Sequence, residues 1–484
     1  MSIINSIRNL LGQAGEKILS IGGLINYQEN DPTTPELITS IPIPPLPSPC
    51  PPIAVLGFTG NANNPIETQA AQVYLTKIMS LTFVQKCLAR PLAHWSFLGQ
   101  LISTPRAGQM FNAYYDRYGL NFFYDMDPFT KQWVYTADSA DVVSHELGHA
   151  ILDALRPDIW AVQAAEIHAF HEAFGDMNAI LTSLTHPEII KFMLQETSGD
   201  LKHDNVVSRL AEQVGAAVYH VMGGVGNRKD IALRDAINNF HYVVPETLPV
   251  NTPPDQLSGE AHNFSRVFTG GFYDMFVAIY NDHLKTMPPE DAIGQARDLC
   301  GKILYNSVLY AQISPRFYES VVRSMLLIDR NNGYGCSDFI AKAFNDRGIT
   351  LPLGGPASIR PTNFSTKARV YQHNLGTTVH VGSTKHVRIN DLLKGLEDNH
   401  LYKLLIEVPD DHYLEYDHNF CLMKDIPSNL EDVISSARYI LDLIKHNDKV
   451  GEPSHHIHKK EFSIADDKLV RNYFSCGCCC KMVK

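Results

Sequence analysis

Asp141–Leu155 reads DVVSHELGHAILDAL, and the four-residue step from His145 to His149 decides how the rest of the chain is read. Helical residues four apart share one face, so both imidazoles can reach a single metal ion. Glu146 follows the first histidine, placed to hold and deprotonate a metal-bound water. Zinc lowers the pKa of such a water towards ~7, within reach of a carboxylate base. Val142 and Val143 precede the motif, Ala150, Ile151 and Leu152 extend the apolar face, and Gly148 permits a close neighbour. The segment reads as a buried metal-binding helix.

A catalytic zinc takes three protein ligands and keeps one position open. Extension of the motif as His-x-x-Gly-x-x-His fails, because Leu152 and Leu155 stand at those places. The alternative is a glutamate on a following helix, with an aspartate one turn later on the same face. HEAFGDM, His171–Met177, supplies Glu172 and Asp176. Glu172 can reach the metal, and Asp176 can accept the outer N–H of a histidine and fix its tautomer. Glu166 and His168 lie nearby as rivals.

Taken together, His145, Glu146, His149, Glu172 and Asp176 resemble the zinc-site signature of the thermolysin-like gluzincin metallopeptidases. The resemblance implies an α+β fold of two lobes, β-rich at the N-terminal side and helical at the C-terminal side, with the zinc helix between them. Asn112-Ala113-Tyr114-Tyr115 resembles that family's edge strand, so Asn112 and Ala113 would bind substrate there. Strand addition of this kind recognises peptide through main-chain hydrogen bonds. GEAHNFSRVF resembles the segment bearing the transition-state histidine, which gives His262 the task of stabilising an oxyanion. Arg234, in ALRDAIN, would hold a substrate carbonyl near Asp176. The resemblance runs from about Gln109 to Ile349, where DFIAKAFNDRGI is similar to the close of the helical lobe.

Departures from the pattern are as informative. The family's oxyanion tyrosine, eleven residues after the second histidine, is Trp160 here. An indole N–H can donate, though its reach and angle differ. Asp141 stands where the family often has a calcium ligand, but its partner position is Ser183 and no acidic cluster follows. Calcium needs six to eight oxygens, which argues against the usual paired calcium site. Asp255 and Glu260 are both candidates for the carboxylate that orients His262. If Met1 is the natural start, a motif starting at residue 145 leaves no room for both a propeptide and a β-rich lobe, and the enzyme would be made without that restraint.

Composition sets the outer limits. With 484 residues, 44% hydrophobic and 19% charged, the chain has material for two or three packed domains of about 150 residues. A net charge of −11 offers no basic footprint for nucleic acid, and no apolar run is long enough to span a membrane. We divide the chain into an N-terminal amphipathic helix and proline-rich linker (1–57), a lobe ending in the zinc helix (58–160), a helical lobe (161–350), a small α+β accessory domain (363–475) and a cysteine-rich tail (476–484). Helical periodicity is expected over Ile66–Leu101, Ala140–Leu155, Ala161–Leu184, Val206–Met222, Asn263–Leu284, Pro289–Ala311, Pro315–Asp329, Asp338–Phe344 and Asn429–Lys445, with short strands over Met110–Tyr135. The N-terminus lacks the pattern of a secretory signal. Five of the nine cysteines are scattered like reduced thiols, while Cys476, Cys478, Cys479 and Cys480 crowd the tail. Acylation, soft-metal binding and a plain terminus remain open readings of that tail, and His455, His456 and His458 read as a solvated loop.

The functional expectation is a zinc-dependent endopeptidase acting on peptide or protein substrates. Its location would be cytoplasmic, or exported without a classical signal, with membrane association through the tail or first helix left open. The alternative is a catalytically silent zinc protein that binds peptide.

Overall fold

The computed structural model describes residues 24–58, 65–97, 99–226, 231–249, 252–349, 368–373, 376–393, 396, 399–416, 422–427, 430–446, 450–451 and 460–476. The N-terminal amphipathic helix, the 351–363 boundary, the His455–His458 cluster and Cys478–Cys480 lie outside these residues. No helix among the described residues is long and apolar enough to cross a membrane.

Three helices form the centre: α1 (Pro65–Cys87), α2 (Ala140–Leu155) and α3 (Ala165–Ser183). Ser139 caps α2 by accepting from the Val142 N–H, and every residue of α2 except Ala154 is buried. Helix α3 is buried along its whole length. That explains why both read as apolar on more than one face: each is covered on all sides. Their crossing is unusually close. A Cβ on Gly148 would come within 2.9 Å of Gly175 Cα, so neither helix tolerates a side chain there. A polar ladder fixes the register beside it. Asn178 Nδ2 donates to the Ser144 carbonyl at 2.7 Å and to Ser80 Oγ at 3.1 Å, while Thr182 Oγ1 donates to Ser80 Oγ at 3.0 Å.

Further helices wrap α3: α4 (Pro187–Thr197), α5 (Glu212–Val221), α6 (Ala261–His283), α7 (Pro289–Ser307), α8 (Phe317–Asn332) and α9 (Ser337–Asp346). Phe170 of α3 meets Phe268 of α6 edge-on at 5.1 Å and Phe317 of α8 at 5.3 Å. One apolar core runs from Ile25 to Ile349 through all of them, and Phe474 and Cys476 belong to it as well. The sequence places α2 correctly to the residue. It starts α5 too early, because Arg209–Leu210 pair as a short strand with Arg234–Asp235, and Ala211 turns with φ +55° before the helix begins.

On the other side of α2 lies a five-stranded sheet. Its members are β1 (Ile53–Val55), β2 (Leu101–Thr104), β3 (Ala113–Tyr115), β4 (Leu120–Phe122) and a distant segment, Phe474–Ser475. In space the order is Phe474–Ser475, β3, β4, β2, β1. Strand β3 would be an edge strand but for that last addition. Lys77 of α1, fully buried, reaches this sheet and donates from Nζ to Ser103 Oγ at 2.7 Å and to the Leu101 carbonyl at 3.1 Å.

The residues after 367 add a four-stranded sheet of β5 (Ala368–His373), β6 (Gly376–Val381), β9 (His412–Tyr416) and β10 (Leu422–Pro427). A second sheet has the order β7 (Thr384–Arg388), β8 (Leu405–Pro409), β13 (Lys468–Arg471), β12 (Phe462–Ala465), β11 (Val450–Gly451), and α10 (Leu430–His446) packs on it. The residues are those of a mixed α+β chain. This second core includes Ala165, the first residue of α3, and Gln163 donates its N–H to the Glu407 carbonyl at 2.7 Å. The chain then leaves β13 and returns to the first sheet as β14 (Phe474–Ser475).

The crossing yields a prediction. Gly148→Ala gains about 1 kcal/mol of helix propensity but overpacks against Gly175, which costs about 1–3 kcal/mol. The expected result is a lower thermal midpoint than the wild type, and an unchanged or raised midpoint would show that the helices have room to part.

Candidate metal centre

Helix α2 turns His145, Glu146 and His149 towards α3, and their ligating atoms all lie within 4.8 Å of one another. Glu172, on α3, comes closer to the histidines than that grouping suggests. Its Oε2 is 3.4 Å from His145 Nε2 and its Oε1 is 3.7 Å from His149 Nε2. Ligands ~2 Å from a tetrahedral zinc are about 3.4 Å apart, so the two imidazoles and Glu172 have the spacing of a shared coordination shell. His145 Nε2, His149 Nε2 and Glu172 Oε2 are all buried without a hydrogen-bond partner. Three orphaned buried groups facing one point are costly unless a cation satisfies them. The residues fit a metal ion.

Around this cluster the electrostatics are arranged in layers. Asp176, one turn after Glu172, accepts from His145 Nδ1 at 2.9 Å. That bond places the proton on Nδ1 and leaves the Nε2 lone pair facing Glu172 and His149. Arg234 comes from the strand Arg234–Asp235 and donates three times to Asp176, at 2.7, 2.8 and 2.9 Å. Its Nη2 also lies 3.2 Å from His145 Nδ1. Arginine only donates, so the shorter Asp176 bond is the one that sets the tautomer. Burial alone would raise the Asp176 carboxyl, but Arg234 and His145 reverse this and hold it below its ordinary value. Burial also drives His149 well below the usual histidine range, keeping it neutral and able to ligate. For Glu146, burial, then Cys476 and Glu172, push the carboxyl well upward.

His262 sits at the start of α6, where Glu260 does two things. As N-cap it accepts from the N–H groups of His262 and Asn263, and its Oε1 also takes a bond from His262 Nδ1 at 2.6 Å. Glu260 therefore fills the role the sequence left open between it and Asp255. The other ring nitrogen of His262, Nε2, lies 3.4 Å from Glu172 Oε2.

The most informative occupant of the site is the chain itself. Strand β14 pairs antiparallel with β3, Phe474 opposite Tyr115 and Ser475 opposite Tyr114. The Cys476 N–H donates to the Ala113 carbonyl at 3.1 Å. Cys476 Sγ lies 3.8 Å from Asn112 Oδ1. His262 Nε2 reaches the Ser475 carbonyl at 2.9 Å, and Arg234 Nη1 donates to the Cys476 carbonyl at 2.6 Å. Asn112, Ala113, Arg234 and His262 are thus brought together on one short stretch of backbone.

Trp160 lies farther along the same stretch. Its ring meets Phe474 edge-on at 5.1 Å and Tyr115 at 5.6 Å, with the Arg117 guanidinium 4.6 Å over its face. It packs beside the residue before Ser475. His171, adjacent to Glu172, stacks on Phe474 at 3.9 Å and 12°, and neither of its ring nitrogens has a hydrogen-bond partner. Sequence reasoning passes over His171, since one more histidine beside the motif carries no spacing signal.

The rivals face elsewhere. Glu166 accepts from Tyr242 Oη at 2.6 Å and from the Tyr318 N–H at 2.9 Å. His168 bonds the Val162 carbonyl at 3.1 Å and Tyr439 Oη at 3.1 Å. Asp141 meets Ser183, whose Oγ donates to it at 3.2 Å, and takes a second bond from Asn30 Nδ2 at 3.2 Å. Comparison of the sequence with protein-family models and with curated proteins returns no match.

Asp176→Asn should lower metal affinity about 10–100-fold and destabilise the fold by about 3–5 kcal/mol, because Arg234 loses its buried counter-charge. Competition with a chromophoric chelator measures the first, and urea unfolding the second. Equal affinity in the variant would remove Asp176 from the metal's support.

Proposed function

We propose that the chain is a zinc endopeptidase of the thermolysin-like gluzincin kind, with a two-lobed catalytic unit between Ile53 and Ile349. The observation that carries this reading is one peptide segment held at the metal cluster by Ala113, Arg234 and His262. Those are the groups a peptidase needs for backbone recognition, and they surround a buried His–His–Glu set with a free carboxylate, that of Glu146, beside it. Bound zinc would polarise the scissile carbonyl and acidify the attacking water.

The protein's own groups supply the rest. Glu146, buried and without a partner on either oxygen, accepts the water's proton and delivers it to the leaving amine. His262 Nε2 donates to the carbonyl oxygen as negative charge grows there, and Glu260 anchors the opposite nitrogen of the ring. Arg234 holds the next carbonyl, while β3 aligns the substrate as an added strand. Neutral backbone contacts of this sort accept many sequences. Selectivity falls to the side-chain pockets, where Trp160 and His171 offer an aromatic surface.

The experiment is cleavage of a mixed peptide library by zinc-loaded protein beside Glu146→Gln. We expect kcat/KM to fall about 10²–10⁴-fold in the variant at unchanged zinc content. Full zinc occupancy with no cleavage by either protein or by Phe474→Asp, which frees the cleft of the chain's own segment, would favour a silent peptide-binding protein.

A further inference from the structure

The segment in the cleft is not arbitrary. Phe474 lies on the His149 side of the cluster, its ring 5.4 Å from the His149 ring and stacked on His171. Cys476 lies on the His145 side, where its carbonyl takes the Arg234 bond and Arg234 in turn holds Asp176. The backbone between them must pass across the cluster. Of the carbonyls on that path, the Ser475 oxygen is the one bonded to His262, whose Nε2 is 3.4 Å from Glu172. The amide on its far side, Cys476 N–H, is tied to the Ala113 carbonyl. A peptide bond so placed has its carbonyl oxygen at His262 and its leaving nitrogen held by the neighbouring strand.

We propose that the Ser475–Cys476 bond is a substrate of the chain's own site, cut in cis to release the cysteine-rich segment that begins at Cys476. This rests on the peptidase reading above. Water adds its oxygen to the Ser475 carbonyl carbon, and Glu146 takes the proton. The C–N bond to Cys476 breaks, and Glu146 returns the proton to the departing nitrogen. The products are a new carboxylate at Ser475 and a peptide with an N-terminal cysteine. No reactant beyond water is consumed.

The arrangement has two independent marks of a built site. Phe474 fills a pocket of His171, Trp160 and Arg471, the last stacking its guanidinium 4.2 Å over the ring. Cys476 is 1% exposed and part of the main core. A loosely attached terminus would show neither. The accessory module explains how the segment is delivered. Arg471, at the end of β13, also contacts His168 Nδ1 at 2.8 Å, so the module is anchored on α3 only three residues before Phe474. Cleavage would therefore leave the module in place and shed only the residues from Cys476 onward.

The test uses the full chain, purified without metal, and the probe is zinc alone. Intact mass is followed after zinc addition, at several protein concentrations. The expected result is loss of the mass from Cys476 onward, first-order and independent of concentration, and at least about 100-fold slower in Glu146→Gln. A second readout needs no catalysis. In metal-free Glu146→Gln, Cys476 should resist alkylation, and Phe474→Asp in that background should expose it at least about tenfold faster. Phe474→Asp with Glu146 intact keeps the cleft open to outside peptides, so it assays the peptidase separately. If that variant cuts library peptides while the zinc-loaded wild type keeps its full mass, self-cleavage is overturned and the segment is a plug. A cut at any other bond overturns the assignment of Ser475–Cys476. If neither protein cuts anything, the peptidase reading falls and takes this proposal with it.

Discussion

Gly148 and Gly175 let two buried helices approach until a single methyl group would not fit between them, and the chemistry of the molecule depends on that contact. A Cβ on Gly175 would stand 2.6 Å from His145 Nδ1, where Asp176 now makes its bond. Closeness here is what allows a carboxylate on one helix to lie within 3.4 Å of an imidazole on the other. Helix pairs usually run about 8–10 Å apart depending on the residues between them. Glycine at both contact points leaves no side chain to hold this pair apart there. The cost of glycine in a helix interior, about 1 kcal/mol each, is offset by the packing that surrounds both elements.

A buried cluster of this kind must also balance its charges. Asp176, Glu172 and Glu146 bring three carboxyls into a nearly dry volume, against the Arg234 guanidinium. Arg234 is buried with Asp176, and such pairs survive only with good geometry and saturated bonds. Here every polar nitrogen of Arg234 has a neighbour, the Cys476 carbonyl among them. The polar atoms that remain unsatisfied include His145 Nε2, His149 Nε2, Glu172 Oε2 and both Glu146 oxygens between the helices, and also His149 Nδ1 and both ring nitrogens of His171. Behind His145 the support is complete, through Asp176 and Arg234, while the ligating atoms between the helices have none. That asymmetry is what a metal and a water would fill.

Much of this is legible in one dimension. The four-residue spacing of His145 and His149 and the Glu172–Asp176 pair are local patterns, and a helix converts spacing into direction. Residues as distant as Asn112, Arg234 and His262 become candidates only through a family resemblance, because no local rule relates positions so far apart in the chain. The structure brings them to one backbone stretch. Glu260 could not be chosen over Asp255 from sequence, since the decision rests on which carboxylate caps α6. The return of Phe474–Ser475 to the first sheet has no signal at all. Two residues are too few for a period, and strand partners from opposite ends of the chain are set by tertiary structure. The sequence division ends the accessory domain at 475, yet Phe474–Ser475 join the first five-stranded sheet.

The central claim is a single metal held by His145, His149 and Glu172, with Glu146 left free to act as a base. Anomalous X-ray diffraction at the zinc edge from crystals of zinc-loaded Glu146→Gln would test it most directly. The predicted result is one peak within ~2.0–2.2 Å of both Nε2 atoms and of a Glu172 oxygen, with the Ser475 carbonyl on its open side. A peak bonded to the Cys476 thiol in place of Glu172, or no peak between the two helices, would contradict it.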